Sequence, residues 1–193
     1  LKKEVLKDLP DKIEKNMAAR MEQKQKELYH AHAQRLALML QNQTEEEFAD
    51  SRFQVLSELT RLRQLCCDPA LVYENYEGGS AKLDLCIELI QSAVESGHKI
   101  LLFSQFTSMI EILTARLQEE SISCFVLQGS TKKEQRAQMV EQFNRDDTSV
   151  FCISLKAGGT GLNLTGADIV IHYDPWWNVA VENQATDRAH RIG

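Results

Sequence analysis

Two arginines three residues apart stand near the end of the sequence, in Gln184-Ala185-Thr186-Asp187-Arg188-Ala189-His190-Arg191. At helical spacing, Arg188 and Arg191 lie on one face. A guanidinium is planar, permanently charged and forked, so a pair on one face suits a phosphoryl group whose charge must be clamped as it transfers. The plain alternative is a solvated helix end. A second candidate is Ser154-Leu155-Lys156-Ala157-Gly158-Gly159-Thr160-Gly161-Leu162-Asn163. Gly158, Gly159 and Gly161 let the backbone approach a ligand and turn N–H groups toward phosphate. Ser154, Lys156 and Thr160 add donors, although a bland glycine turn would look the same. Neither this loop nor Gly78-Gly79-Ser80-Ala81-Lys82 has the spacing of a triphosphate-cradling P-loop.

Three further segments carry polar or aromatic groups at the ends of apolar runs. Ser104-Gln105-Phe106-Thr107 and Gln128-Gly129-Ser130-Thr131 each precede a helix pattern, and offer hydroxyls and free N-terminal amides to an anion. Helix capping alone also explains Ser and Thr there. Asp174-Pro175-Trp176-Trp177-Asn178 places two large aromatics in a turn, where they either stack on a nucleic acid or plug the end of a sheet. His172 falls within an apolar run and reads as a core histidine. His30 and His32, two apart on a helix, face different ways and make a poor metal pair.

The five cysteines include no C-x-x-C pair, which argues for reduced thiols and against zinc. The net charge of −6 does not favour nucleic acid. Residues 1–43, however, carry nine Lys/Arg against six Asp/Glu, so the charge is unevenly spread. A local site built from amides and hydroxyls needs no basic field. No apolar run approaches the roughly 18 residues of a membrane span, and the first residues lack the apolar stretch of a secretory signal.

The elements that must position these groups change character at Glu77-Gly78-Gly79-Ser80. Before it, 12–43 reads as one long helix with a thin apolar stripe, a pattern suited to a brace rather than a core helix. A second helix over 45–66 stops ahead of Pro69. After the break, helices over 81–96, 108–120, 132–144 and 179–191 alternate with apolar strands over 99–103, 124–127, 150–153 and 169–173. Strands apolar on both faces and separated by helices imply a doubly wound parallel α/β sheet, with ligands at the carboxyl ends of its strands. The expected organisation is therefore a helical brace and insertion over 1–77, followed by an α/β domain over 78–193.

Together these segments resemble the Swi/Snf-type branch of the superfamily-two helicases. Leu62-Arg63-Gln64-Leu65-Cys66-Cys67-Asp68-Pro69-Ala70-Leu71 resembles the stretch between the helical insertion and the second lobe, and Ser80-Ala81-Lys82-Leu83 the opening of that lobe. Ser104-Gln105-Phe106 matches the fourth helicase motif. Gln128 to Thr131, with Arg136 and Phe143-Asn144, matches the segment after it. Lys156 to Asn163 fits the fifth motif, Asp174 to Asn178 the aromatic segment beyond, and Gln184 to Arg191 the sixth. Val179 departs from the proline that the family commonly carries after Trp-Asn.

The resemblance implies a RecA-like second lobe of an ATP-driven double-stranded-DNA translocase. By that resemblance Arg188 and Arg191 are arginine fingers, and Gln184, Gly159 and Gly161 line the nucleotide cleft. Ser104, Gln105, Gly129, Ser130, Thr131, Lys156, Gly158, Gly159 and Trp177 are the DNA-contacting set. ATP and Mg2+ would be held mainly by the first RecA-like lobe of the same polypeptide, whose motifs are not found here. The sequence stops inside the sixth motif, so the fragment alone is expected not to hydrolyse ATP. Double-stranded DNA and a DNA-bound protein complex are the implied partners, with no membrane. The compact insertion and the lack of a basic localisation run point to a bacterial cytoplasm and its nucleoid, whereas a eukaryotic origin would place the protein in the nucleus. A strand-separating helicase lobe and a non-catalytic DNA-binding scaffold are the competing readings.

Overall fold

The computed structural model describes residues 13–41, 44–158 and 162–175. Two compact units are distinguished: residues 18–86, and residues from 87 onward together with the few described ones before 18.

The first unit is built on two packed helices, α1 (Gln23–Gln41) and α2 (Glu45–Cys67). Leu36, Val55 and Leu62 form its small core, flanked by Tyr29, Ala33 and Leu59. A capping box starts α2: the Glu47 N–H donates to Thr44 Oγ1 at 3.3 Å, and the Thr44 N–H donates to Glu47 Oε2 at 2.8 Å. At its other end Asp68 accepts the Ala70 N–H at 2.8 Å and caps the 3-10 turn Pro69–Leu71. Burial is the main influence on this carboxyl and pushes its pKa up. The helix expected from residue 12 begins only at Gln23. Ahead of it the large apolar side chains of Ile13 and Met17 are 82% and 57% exposed. Helix in a protein is held by burial of an apolar face more than by propensity, so favourable composition does not suffice there.

In the second unit, strands β1 (Ile100–Ser104), β2 (Cys124–Leu127), β3 (Val150–Ser154) and β4 (Ile169–His172) form a parallel sheet in the order β2-β3-β1-β4. The helices are α3 (Ala81–Glu95), whose first residues belong to the other unit, α4 (Thr107–Glu119), α5 (Lys133–Arg145) and the short α6 (Leu155–Gly158). Central strands β1 and β3 are buried at every position, which explains their unbroken apolar sequence. Leu101, Phe103, Phe151, Ile153 and Leu127 pack with Phe143 of α5 and with Leu155, Ala157, Leu162, Leu164 and Ala167. Strand alternation turns Ile100, Leu102, Val150 and Cys152 to the opposite face, and these are fully buried as well. Helix α4, with Met109, Ile110, Leu113 and Leu117 buried, packs on β1, β2 and β3. The sheet is thus covered on both faces, as expected, and all four strands lie within about one residue of their predicted positions.

Opposite the carboxyl edge, Lys99 and His98 pin the strand beginnings. Lys99 Nζ donates to the carbonyls of Phe143 and Asp146 and sits 4.3 Å from the Phe143 ring centroid. His98 Nδ1 pairs with Asp168 Oδ2 at 2.5 Å, while the Lys99 N–H donates to Asp168 Oδ1 at 3.0 Å. All five cysteines are free thiols. Burial drives Cys86 up to about 12.

Candidate functional site at the carboxyl edge of the sheet

The strand order places the loops that leave β2, β3, β1 and β4 side by side on one edge. Parallel pairing keeps their starting points level, since Ser104 and Ser154, the last residues of β1 and β3, are register partners. A strand that ends in a small polar residue frees the chain to turn, and each of these serines then bonds back to its own loop. Ser154 Oγ accepts the Ala157 N–H at 3.3 Å. Sequence reasoning treated the segment after β3 as a loop throughout, but it starts as α6 directly at Leu155. Leu155 and Ala157 turn into the core, which holds that turn and leaves Lys156 exposed between them.

The loop after β1 is ordered by a buried carboxylate. Ser104 is fully buried, and its hydroxyl donates to Asp174 Oδ2. The Gln105 N–H donates to Asp174 Oδ1 at 2.9 Å, and the Phe106 N–H donates to Ser104 Oγ at 3.2 Å. Gln105 Nε2 is shielded from solvent and finds no hydrogen-bond partner among the described residues. An unmet buried donor costs about 1–3 kcal/mol, so this amide is free to gain from an acceptor brought to it.

The loop after β2 is held differently. Gly129 and Ser130 are exposed and Thr131 is half-buried. Thr131 Oγ1 accepts the Gln128 N–H at 3.1 Å, and the Thr131 N–H closes the turn on Gln128 O at 3.1 Å. Arg136, in the first turn of α5, donates to Thr131 O at 2.8 Å, Gly129 O at 3.1 Å and Gln128 O at 3.3 Å. One guanidinium thereby takes up three carbonyls and leaves exposed Gly129 and Ser130 as the loop's outward chemistry. No Cβ-sized atom would meet anything within 4 Å at Gly129, so its outer side is open. A shallow cavity of 410 Å³ lies between Thr131, Lys133, Arg136 and Ala137 on one side and Leu162 on the other. It brings the β2 loop beside the far end of the β3 loop. Exposed Lys132 and Lys133 add positive charge there.

Of the residues singled out in the sequence, the structure gathers Ser104, Gln105, Gly129, Ser130, Thr131, Lys156 and Gly158 on this edge. Gly159, Gly161, Trp177, Gln184, Arg188 and Arg191 lie outside the described residues. Sequence reasoning missed the structural parts of Asp174 and Arg136, and the lysines at 132 and 133. A Lys-Lys pair directly after Thr131 was a visible signal; the other two were not, because their partners are set by the fold. Among the described residues no three His, Cys, Asp or Glu side chains gather as a metal site, and no helix is long and apolar enough to cross a membrane.

Comparison with known proteins fits this geometry. The family model described as Helicase conserved C-terminal domain matches residues 81–193, and that of the SNF2-related domain matches residues 1–71. An uncharacterized ATP-dependent helicase of Mycoplasma pneumoniae is 40% identical over 100% of this chain and 18% of its own length. The chain spans about a fifth of the length of the first curated relatives it matches. The Sulfolobus solfataricus SWI2/SNF2 ATPase C-terminal domain superposes with a TM-score of 0.77 at 32% identity, covering 90% of this chain and 76% of that one. The ATPase core of the Sulfolobus solfataricus protein in complex with double-stranded DNA gives a TM-score of 0.81 at 32% identity, covering 98% of this chain and 40% of that one. With a RecA-like parallel sheet, its motif-bearing loops on one edge and these matches over both parts, the chain belongs to the Swi2/Snf2 family and carries its helicase conserved C-terminal domain.

Proposed function

We propose that this chain is the second motor lobe of an ATP-driven translocase that tracks along double-stranded DNA without separating its strands. The common carboxyl edge carries the reading: the parallel strands deliver Ser104-Gln105, Gln128 to Thr131 and Ser154 to Gly158 to one line, where a phosphate backbone can be followed. Exposed Gly129, Ser130 and Lys156, with Lys132 and Lys133 beside them, offer amide, hydroxyl and ammonium donors. Such donors fix a protein on a duplex without reading sequence. Gln105, Thr131, Gly158, Gly159 and Trp177 complete the proposed DNA face. Ser104 contributes by shaping its loop, because its hydroxyl is already engaged. The Sulfolobus solfataricus ATPase core, solved in complex with double-stranded DNA, supports the choice of ligand.

In this reading residues 1–77 brace the lobe formed by 78–193, and ATP with its Mg2+ is held by the first lobe of the same polypeptide. Gln184, Gly159 and Gly161 face the nucleotide from this side. Arg188 and Arg191 reach across to neutralise the charge of the transferring phosphoryl group, which here leaves with water as the nucleophile. The lobe by itself lacks the phosphate cradle and hydrolyses nothing. Cycles of closure and opening carry it along the duplex, against a DNA-bound protein complex as the load. Its place is with the DNA, on the nucleoid in a bacterium and in the nucleus in a eukaryote.

Substituting Arg188 and Arg191 by alanine in the full-length protein tests the finger assignment. DNA-stimulated ATP turnover is expected to fall by about 10³-fold or more, while duplex affinity at fixed salt stays within about threefold. Undiminished turnover contradicts the assignment. Displacement of a strand from a forked duplex would instead favour a strand-separating helicase.

A further inference from the structure

Asp174 has no part in the contacts proposed above, yet it sits where a carboxylate needs a reason. It is 3% exposed and directly precedes Pro175 and the tryptophan pair. A buried carboxylate is tolerated only when its oxygens are hydrogen-bonded. One oxygen accepts the Gln105 N–H at 2.9 Å, and the other accepts the hydroxyl of fully buried Ser104. The Tyr173 N–H donates to Phe103 O at 2.9 Å, so backbone pairing of β1 with β4 runs up to this carboxylate. Two segments 69 and 70 residues apart in sequence are thereby clasped at the point where both leave the sheet.

We infer that Asp174 is a positioning residue that makes the loop after β1 and the chain leaving β4 toward Trp176 and Trp177 shift as one body. The inference rests on the motor reading, because it concerns how a grip on DNA at one loop reaches the aromatic segment. The chemistry requires a carboxylate. Each oxygen accepts at least one donor, and losing either bond leaves a buried carboxylate oxygen or its donor worse paired. Asparagine presents one acceptor and one donor. Its oxygen can keep the Gln105 N–H only if its amide donates to Ser104 Oγ, which forces the hydroxyl to swing toward the more distant Phe106 O at 3.4 Å. Alanine removes both bonds. The expected order of damage is therefore Asp174→Ala, then Asp174→Asn, with Ser104→Ala losing the hydroxyl arm alone.

The test uses the full-length protein and three readouts: ATP turnover at saturating duplex DNA, the DNA concentration giving half-maximal stimulation, and the melting temperature. A clasp that transmits DNA binding lowers stimulated turnover by about tenfold in Asp174→Asn, while half-saturating DNA changes by less than about threefold. The double variant Ser104→Ala/Asp174→Asn should be no worse than the poorer single variant, since both cut one connection. A merely structural role would lower the melting temperature without splitting turnover from DNA affinity, and that result overturns the proposal. Should Asp174→Ala fail to fold, Asp174→Asn and Ser104→Ala carry the same decision. A parent whose turnover does not respond to DNA overturns the motor reading and the clasp with it. A DNA-stimulated parent with unaltered turnover in Asp174→Asn and Ser104→Ala overturns the clasp alone.

Discussion

The helical unit and the sheet unit solve the problem of burying polar groups in opposite ways. Around the sheet, apolar residues occupy the interior, and buried polar groups such as Ser104, Ser154 and Asp174 collect at the carboxyl edge. In the helical unit the apolar core is small, and one buried carboxylate is met by a half-buried histidine and by exposed arginines. Glu58, its side chain only 6% exposed, accepts from His32 Nδ1 and Arg61, both at 3.0 Å, with Arg35 at 3.8 Å. The other ring nitrogen of His32 lies 2.8 Å from the Tyr73 hydroxyl. Because a carboxylate only accepts, the His32 ring nitrogen facing it, Nδ1, carries a proton. Gln25, 1% exposed, donates to Leu65 O at 2.7 Å near the end of α2. The difference teaches where each part can be altered: the sheet depends on volume, the helical pair on charge, and the carboxyl edge on the direction of donors.

Volume gives the largest expected effect. Phe151→Ala empties a site touched by Phe125 and Phe143 and should lower stability by about 3–5 kcal/mol. Leu62→Ala, from a core that can collapse more readily, should fall near the lower end of its class, at about 2 kcal/mol. Denaturant unfolding of both variants checks the ranking, and equal losses would remove the contrast between the units.

Charge comes next. Glu58→Gln should destabilise by about 1–2 kcal/mol at neutral pH, through loss of charge-assisted hydrogen bonds. The His32 hydrogen bond is the chief reason that the Glu58 carboxyl titrates below its ordinary value of 4.5; burial opposes it, and Arg35 and Arg61 assist. A carboxyl lowered on folding contributes stability that is complete above the unfolded value and is lost as pH falls through the folded one. The gap between wild type and Glu58→Gln should therefore close as pH falls from the ordinary carboxyl value of 4.5 through the lower folded one. A gap undiminished at the acid end of the titration would contradict this placement of the charge.

At the carboxyl edge the effects on stability are smaller and those on binding larger. Arg136→Ala frees three carbonyls of the β2 loop and should cost about 1 kcal/mol of stability, but about tenfold in duplex affinity as the loop loses its shape. Lys156→Ala should leave stability within about 0.5 kcal/mol. Its mark is a log–log salt dependence of DNA binding shallower by about one. Fluorescence anisotropy across a salt series measures both variants.

How much of this could be seen in the sequence follows from which interactions are local. Strands β1 and β3 were legible because Ile100-Leu101-Leu102-Phe103 and Val150-Phe151-Cys152-Ile153 are apolar on both faces, which only a doubly covered strand needs. Turn chemistry at Gly78-Gly79 marks the irregular stretch ahead of α3, while the compact units divide between Cys86 and Ile87. The start of α1 was not legible, because residues 13–22 carry the same kinds of residue as the helix that follows, and the exposure of Ile13 and Met17 is set by the fold. Lys156 and Gly129 were legible as loop residues bearing donors. Asp174 read as a turn residue before proline, since its partners Ser104 and Gln105 come to it only once β1 and β4 pair. Arg136 read as part of a motif without a role for the same reason: its acceptors are backbone carbonyls, which carry no mark in a sequence.

The central claim is that this chain is one half of a motor site, completed by another lobe and driven by duplex DNA. ATP turnover by the 193-residue chain and by its full-length parent, each with and without double-stranded DNA, tests it most directly. An inert chain beside a DNA-stimulated parent is the predicted result. Turnover by the purified chain itself, or a parent indifferent to DNA, would contradict it.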